Sequence, residues 1–112
     1  MQLFILILKK IDRMEELLKM LAESGVRGGT ILEGTGMAKE LTNMEELPVF
    51  GMLKLLLADE GQGNSKVMLF VLRDDQLAST KKVIRKVIGD LSLPNTGIMF
   101  SVPVSFVEGL SE

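Results

Sequence analysis

The sequence predicts an α+β domain with four strands in one sheet and two helices on one of its faces. Three observations predict it. Two solid apolar runs, "LFILIL" (Leu3 to Leu8) and "KVMLFVL" (Lys66 to Leu72), read as buried strands. An amphipathic helical pattern follows each run, and a further strand segment follows each helix. With 112 residues the chain makes one domain, over 1–112, with enough length to bury a core.

The elements follow in order. "LFILIL" is short, continuous and closed by Lys9 and Lys10. "IDRMEELLKMLAESG" reads as a helix, with Asp12 and Glu15 in capping-box spacing at its start. Met14, Leu17, Leu18 and Leu21 fall at i, i+3, i+4 and i+7, one helical face, and Gly25 sits where a left-handed terminal residue belongs. "GGTILEGTG" reads as a second, glycine-rich strand. Met37 to Asn64 carries no strand signal and reads as a long insert, with Met37 to Glu46 as its polar outgoing limb. "KVMLFVL" is the third strand. "DDQLASTKKVIRKVIG" is a second helix begun at Asp74 or Asp75, lined inside by Leu77, Ile84, Val87 and Ile88, and ended at Gly89. Its Lys81, Lys82, Arg85 and Lys86 read as a solvated basic face. "GIMFSVPVSFV" is the fourth strand, disrupted near Pro103. The order is the ferredoxin-like βαββαβ arrangement with a long insert between strands 2 and 3.

Composition removes several classes of function. The chain has no cysteine and no histidine, which takes away thiolate chemistry, the commonest general base and the softer metal ligands. An enzyme is therefore not expected, no metal site is expected, and no cofactor is required. A net charge of −2 offers no general attraction to nucleic acid. The apolar start is far shorter than the roughly 20 residues of a membrane-spanning helix, so no direct membrane insertion is expected and the cytoplasm is the expected compartment.

In this topology the first and third strands are the inner ones. A strand alternates faces at every residue, and these two runs carry apolar residues on both of their faces. Two helices cover only one face. Another copy of the same sheet is the simplest cover for the other, which predicts a homo-oligomer; the insert folding back over its own sheet is the other solution.

The glycines of "GVRGGTILEGTG" pose a separate question, because glycine weakens a strand. They serve either close packing between strands or the approach of a ligand. Successive backbone N–H groups at such a segment can hold an anion, and a threonine hydroxyl can bond a base edge or a phosphate. Lys39 or Lys66 can supply charge.

The order and spacing of "GVRGGTILEGTG", "KVMLFVLRDDQL", "PNTGIMFSVPV" and the final "VEGL" resemble the PII-like signal-transduction proteins, the nitrogen-regulatory PII superfamily, over nearly the whole chain. The resemblance implies a cytoplasmic homotrimer with its sheets facing inward. It implies an adenine nucleotide (AMP, ADP, cyclic AMP or ATP) in clefts between subunits, bound near the base of a long T-loop and near the B-loop turn before strand 4. By position Gly28, Gly29 and Thr30 fall on the strand segment that approaches the nucleotide, Gly34 and Gly36 on the G-x-G that opens the T-loop, and Thr96 and Gly97 near the B-loop. Of the two lysines that can supply charge, Lys66 is the one counted with them as a candidate ligand-binding residue. The stretch "LSLPNTGIMF" lacks the Gly-Asp-Gly-Lys of strong ATP binders, and the insert has no tyrosine to modify.

The insert is itself apolar. As a helix after Pro48 it would place Val49, Leu53, Leu56 and Leu57 on one face, with Phe50 beside them. Such a loop either packs on its own trimer or docks into a partner; in the second case the resemblance implies that this 37–64 loop is the output arm, docking on a target such as a membrane transporter or a metabolic enzyme. The expected function is thus a non-enzymatic sensor. The alternative is a ligand-free adaptor trimer that binds its partner through the apolar loop.

Overall fold

The computed structural model describes residues 1–42 and 64–110. Its strands are β1 (Gln2–Leu8), β2 (Thr30–Thr35), β3 (Asn64–Leu72) and β4 (Gly97–Pro103), in one sheet of order β2-β3-β1-β4. Every neighbouring pair is antiparallel. The helices are α1 (Met14–Glu23), the short α2 (Met37–Thr42) and α3 (Leu77–Ile88). The chain is an α+β domain with a four-stranded antiparallel sheet. Among the described residues no helix is long and apolar enough to cross a membrane.

β1 and β3 are the inner strands, and their register explains the core. Phe4, Leu6 and Leu8 face the same way as Phe70, Met68 and their neighbour Leu72, and all six are buried. Leu17 and Leu21 of α1 and Ile84, Val87 and Ile88 of α3 close over them in one cluster. Burying each such side chain contributes roughly 1.5–3 kcal/mol. The helical faces read from the sequence are the faces that pack. Gly25 and Gly89 end α1 and α3 with φ of +99° and +95°, a conformation that favours glycine.

The opposite face is different. Leu3, Ile5 and Ile7 of β1 stand between Val71, Leu69 and Val67 of β3 and Val102, Phe100 and Ile98 of β4, with Leu32 of β2 beyond. No charged residue falls on it. Ile98 is 53 % exposed, Leu32 47 %, Phe100 43 % and Val102 42 %. The described residues leave this apolar face open.

Several boundaries differ from the sequence reading. α1 begins at Met14 after a 3₁₀ turn over Ile11–Arg13, and no side chain caps it; Asp12 falls one residue before the N-cap position, which Arg13 holds, and Arg13 pairs with Glu16. The second strand is only Thr30–Thr35, so Gly28 and Gly29 precede it and Gly36 follows it. The expected outgoing limb is helical over Met37–Thr42. The Gly36 carbonyl accepts the Glu40 N–H at 3.2 Å, Ala38 is buried, and the segment is rich in good helix formers. α3 is entered through a 3₁₀ turn over Asp74–Gln76, where the Gln76 side chain accepts the Arg73 N–H at 3.0 Å. β4 stops at Pro103, which has no N–H for a ladder, and the following Val104 N–H bonds to the Met1 carbonyl at 3.1 Å. The expected docking residues Val49, Phe50, Leu53, Leu56 and Leu57 lie outside the described residues.

Candidate functional site

The register sorts the sequence-predicted site residues into two groups at opposite ends of the sheet. Lys66 stands between Glu33 and Leu8, and Leu8 stands opposite Gly97, so one row crosses all four strands. Gly34 lies in the next row, opposite Ser65. Gly34, Gly36, Lys66, Thr96 and Gly97 therefore share one end of the sheet. Gly28, Gly29 and Thr30 sit at the other end, since Thr30 pairs with Leu69; four residues of strand separate Thr30 from Gly34, about 13 Å.

At the first end the groups divide again between the two edges. Gly34 and Gly36 belong to the β2 edge, Thr96 and Gly97 to the β4 edge, three strand spacings or about 14 Å apart. Within one chain they do not converge. Two of the glycines have local steric reasons. A Cβ on Gly34 would lie 2.5 Å from Ser65 Oγ, and one on Gly97 would lie 2.8 Å from the Ile7 carbonyl oxygen. Lys66 Nζ is paired with the Glu33 carboxylate, and Lys39 Nζ donates to Asn64 Oδ1 at 2.9 Å. Thr96 is buried: its carbonyl accepts the N–H groups of Lys9 and Lys10 at 3.0 and 3.1 Å, and its hydroxyl donates to the Pro94 carbonyl at 3.2 Å. Its hydroxyl thus fixes the turn before β4.

Beside that turn lies an open cleft of about 720 Å³ between the end of α3 and the start of β4. Arg85, Asp90, Ser92, Gly97, Ile98 and Met99 are among its walls. Its volume falls in the range of small-molecule sites, about 300–1,000 Å³. The loop is held by Asp90, whose Oδ1 accepts both the Ser92 hydroxyl at 2.7 Å and the Ser92 N–H at 2.9 Å. Those bonds hold the Asp90 carboxyl below the usual aspartate value, so it stays ionised. Arg85 brings the positive charge. The sequence placed Arg85 on a solvated face; only the packing of α3 beside β4 puts it on a cleft.

At the second end, Gly29 is pressed against the edge of the Phe70 ring, leaving no room for a Cβ, whereas a Cβ on Gly28 would meet open space. A narrower slot of about 140 Å³ runs beside them, walled by Leu18, Leu21, Ala22, Val26, Ile31 and Phe70, with exposed Arg27 at its mouth. Arg27 was not singled out by sequence reasoning, because a lone arginine after a helix carries no pattern.

Among the described residues no cluster of three or more acidic, histidine or cysteine side chains could hold a metal ion. No family model matches the chain, and no curated protein matches it. A solved structure described as a functionally unknown protein from Pediococcus pentosaceus ATCC 25745 superposes with a TM-score of 0.62 at 13% identity, covering 97% of this chain and 96% of that one. At that identity the likeness is one of fold alone.

Proposed function

We propose that this chain is a non-enzymatic, PII-like sensor with a ferredoxin-like strand order and a T-loop insert. It works as a homotrimer whose uncharged sheet faces cover one another. A small anionic metabolite, an adenine nucleotide, binds where the β2 edge of one copy meets the β4 edge of the next. The observation that carries this reading is the shared end of the sheet: Gly34 and Gly36 on one edge with Lys66 on the strand beside it, and Thr96, Gly97 and the Arg85-bearing cleft at the other edge. A cyclic contact between copies joins halves that a single chain holds apart. Occupancy then biases the 37–64 segment toward or away from a target protein.

A specific observation favours a second reading, the ligand-free adaptor. Gly29, Gly34 and Gly97 each have a packing neighbour, and Lys66 already has Glu33.

A thermal-shift series with ATP, ADP, AMP, cyclic AMP, 2-oxoglutarate and bicarbonate separates the two. A rise in Tm with a nucleotide, lost in Arg85→Ala and in Gly36→Val, supports the sensor. An oligomer whose Tm moves with none of them supports the adaptor.

A further inference from the structure

After Val104, which is tied to the Met1 carbonyl, the chain runs on as an exposed arm from Ser105 to Leu110 that carries three large apolar side chains. Phe106 is 77 % exposed, Leu110 42 % and Val107 39 %. The arm leaves the sheet at Pro103, opposite Gln2, which in turn lies opposite Leu72. This is the end of the sheet at which β2 begins, on the opposite edge. The slot between α1 and the start of β2 lies there; its side chains are apolar except Arg27, and the backbone of Gly28 and Gly29 completes its wall.

We infer that Phe106 of one copy fills the slot of a second copy, between Leu18, Ala22 and Phe70, and that Glu108 of the arm pairs with Arg27 at its mouth. Size, charge and placement agree. The slot measures about 140 Å³, and an apolar cavity of roughly 150 Å³ accepts a benzene ring. Arg27 and Glu108 are both exposed, and neither forms an ion pair among the described residues. The arm on one edge and the slot on the other make a heterologous, head-to-tail contact, which closes into a ring when the rotation between copies divides a full turn. The chain's sequence explains the arm's shape: Pro103 stops the strand, and Gly109, at φ +90°, turns the backbone past Glu108.

This inference rests on the oligomeric part of the proposed function and adds the contact that holds the copies in register. The test is sedimentation velocity of the full chain over a wide concentration range, with circular dichroism as the check on folding. Phe106→Ala removes only an exposed side chain, so the fold is kept, and the dissociation constant is expected to rise about tenfold or more. Arg27→Glu and Glu108→Lys are each expected to weaken assembly, and the double variant to restore it. A wild-type chain that is monomeric throughout overturns both this inference and the oligomeric reading. An oligomer unchanged by Phe106→Ala overturns the arm alone. Weakening by Phe106→Ala without rescue by the charge swap overturns the proposed register.

Discussion

The Ile7 carbonyl oxygen lies 2.8 Å from the position that a Cβ on Gly97 would occupy, so β4 closes on β1 only because residue 97 has no side chain. The obstacle is backbone of an inner strand, which cannot rotate away. Gly97→Ala is expected to destabilise the fold by about 1–3 kcal/mol, as overpacking does. Gly28→Ala, which meets open space, is the matched control and is expected to change stability by no more than about 0.5 kcal/mol. Urea unfolding of the two variants beside the parent checks both.

Leu6 is fully buried at the centre of the sheet, between Met68 of β3 and Met99 of β4. Leu6→Ala is expected to cost about 2–5 kcal/mol, because neighbours on two strands cannot collapse into the space. Leu3→Ala, on the open face of the same strand, is expected to cost a monomer much less. The same denaturation series distinguishes them.

Phe100 lies on the open face opposite Ile5. Phe100→Asp places a charge where two copies would meet, and it is expected to leave the circular dichroism spectrum intact while converting the assembly to monomer. Light scattering after size exclusion reads the outcome; an undiminished oligomer would place the interface elsewhere.

The Asp90 carboxyl is held below its ordinary value of 3.8 by the hydroxyl and N–H of Ser92. A lowered folded-state pKa contributes stability above the unfolded value, and that contribution is lost as pH falls through the folded value. Ser92→Ala is expected to move the Asp90 titration midpoint upward. The stability difference between parent and variant is expected at neutral pH and to fade in acid below that range. Carbon-detected NMR titration of the carboxyl gives the midpoint directly.

Lys66 and Glu33 form a cross-strand pair in which Glu33 is largely exposed. Such pairs are worth about 0–1 kcal/mol, so Glu33→Gln is expected to leave stability nearly unchanged. It also frees the Lys66 ammonium. If an anionic ligand binds at this end of the sheet, the variant is expected to show a larger nucleotide-induced rise in Tm than the parent.

Much of the α+β layout was legible because its signals are local and redundant. The inner strands announce themselves through the unbroken apolar runs Leu3 to Leu8 and Val67 to Leu72. The helical stripes of Leu17 with Leu21 and of Ile84 with Val87 and Ile88 are the buried ones. Less was legible where geometry depends on register. Nothing in "GGTILEGTG" says that Gly28 and Gly34 belong to opposite ends of a sheet, or that Gly29 is needed by Phe70, a residue far along the chain. Arg85 and Arg27 reach their clefts through tertiary packing, which a pattern of charges on a helix does not encode. The α2 helix was hidden for another reason: six residues carry too little periodicity to be told from a polar loop.

The pairing of the strands has a consequence for how the molecule comes into being. Leu8 pairs with Lys66 on one side and Gly97 on the other, and β2 pairs only with β3, across the whole of the 43–63 stretch. No two strands that are consecutive in the chain and joined by a tight turn lie side by side, so no hairpin can seed the sheet. Of the four strands β1 comes first in the chain and its partner β4 last, so the pairings that build the sheet are non-local, which makes folding slow. Until β3 has been made, "LFILIL" has no strand to pair with, and an unpaired apolar strand is open to aggregation.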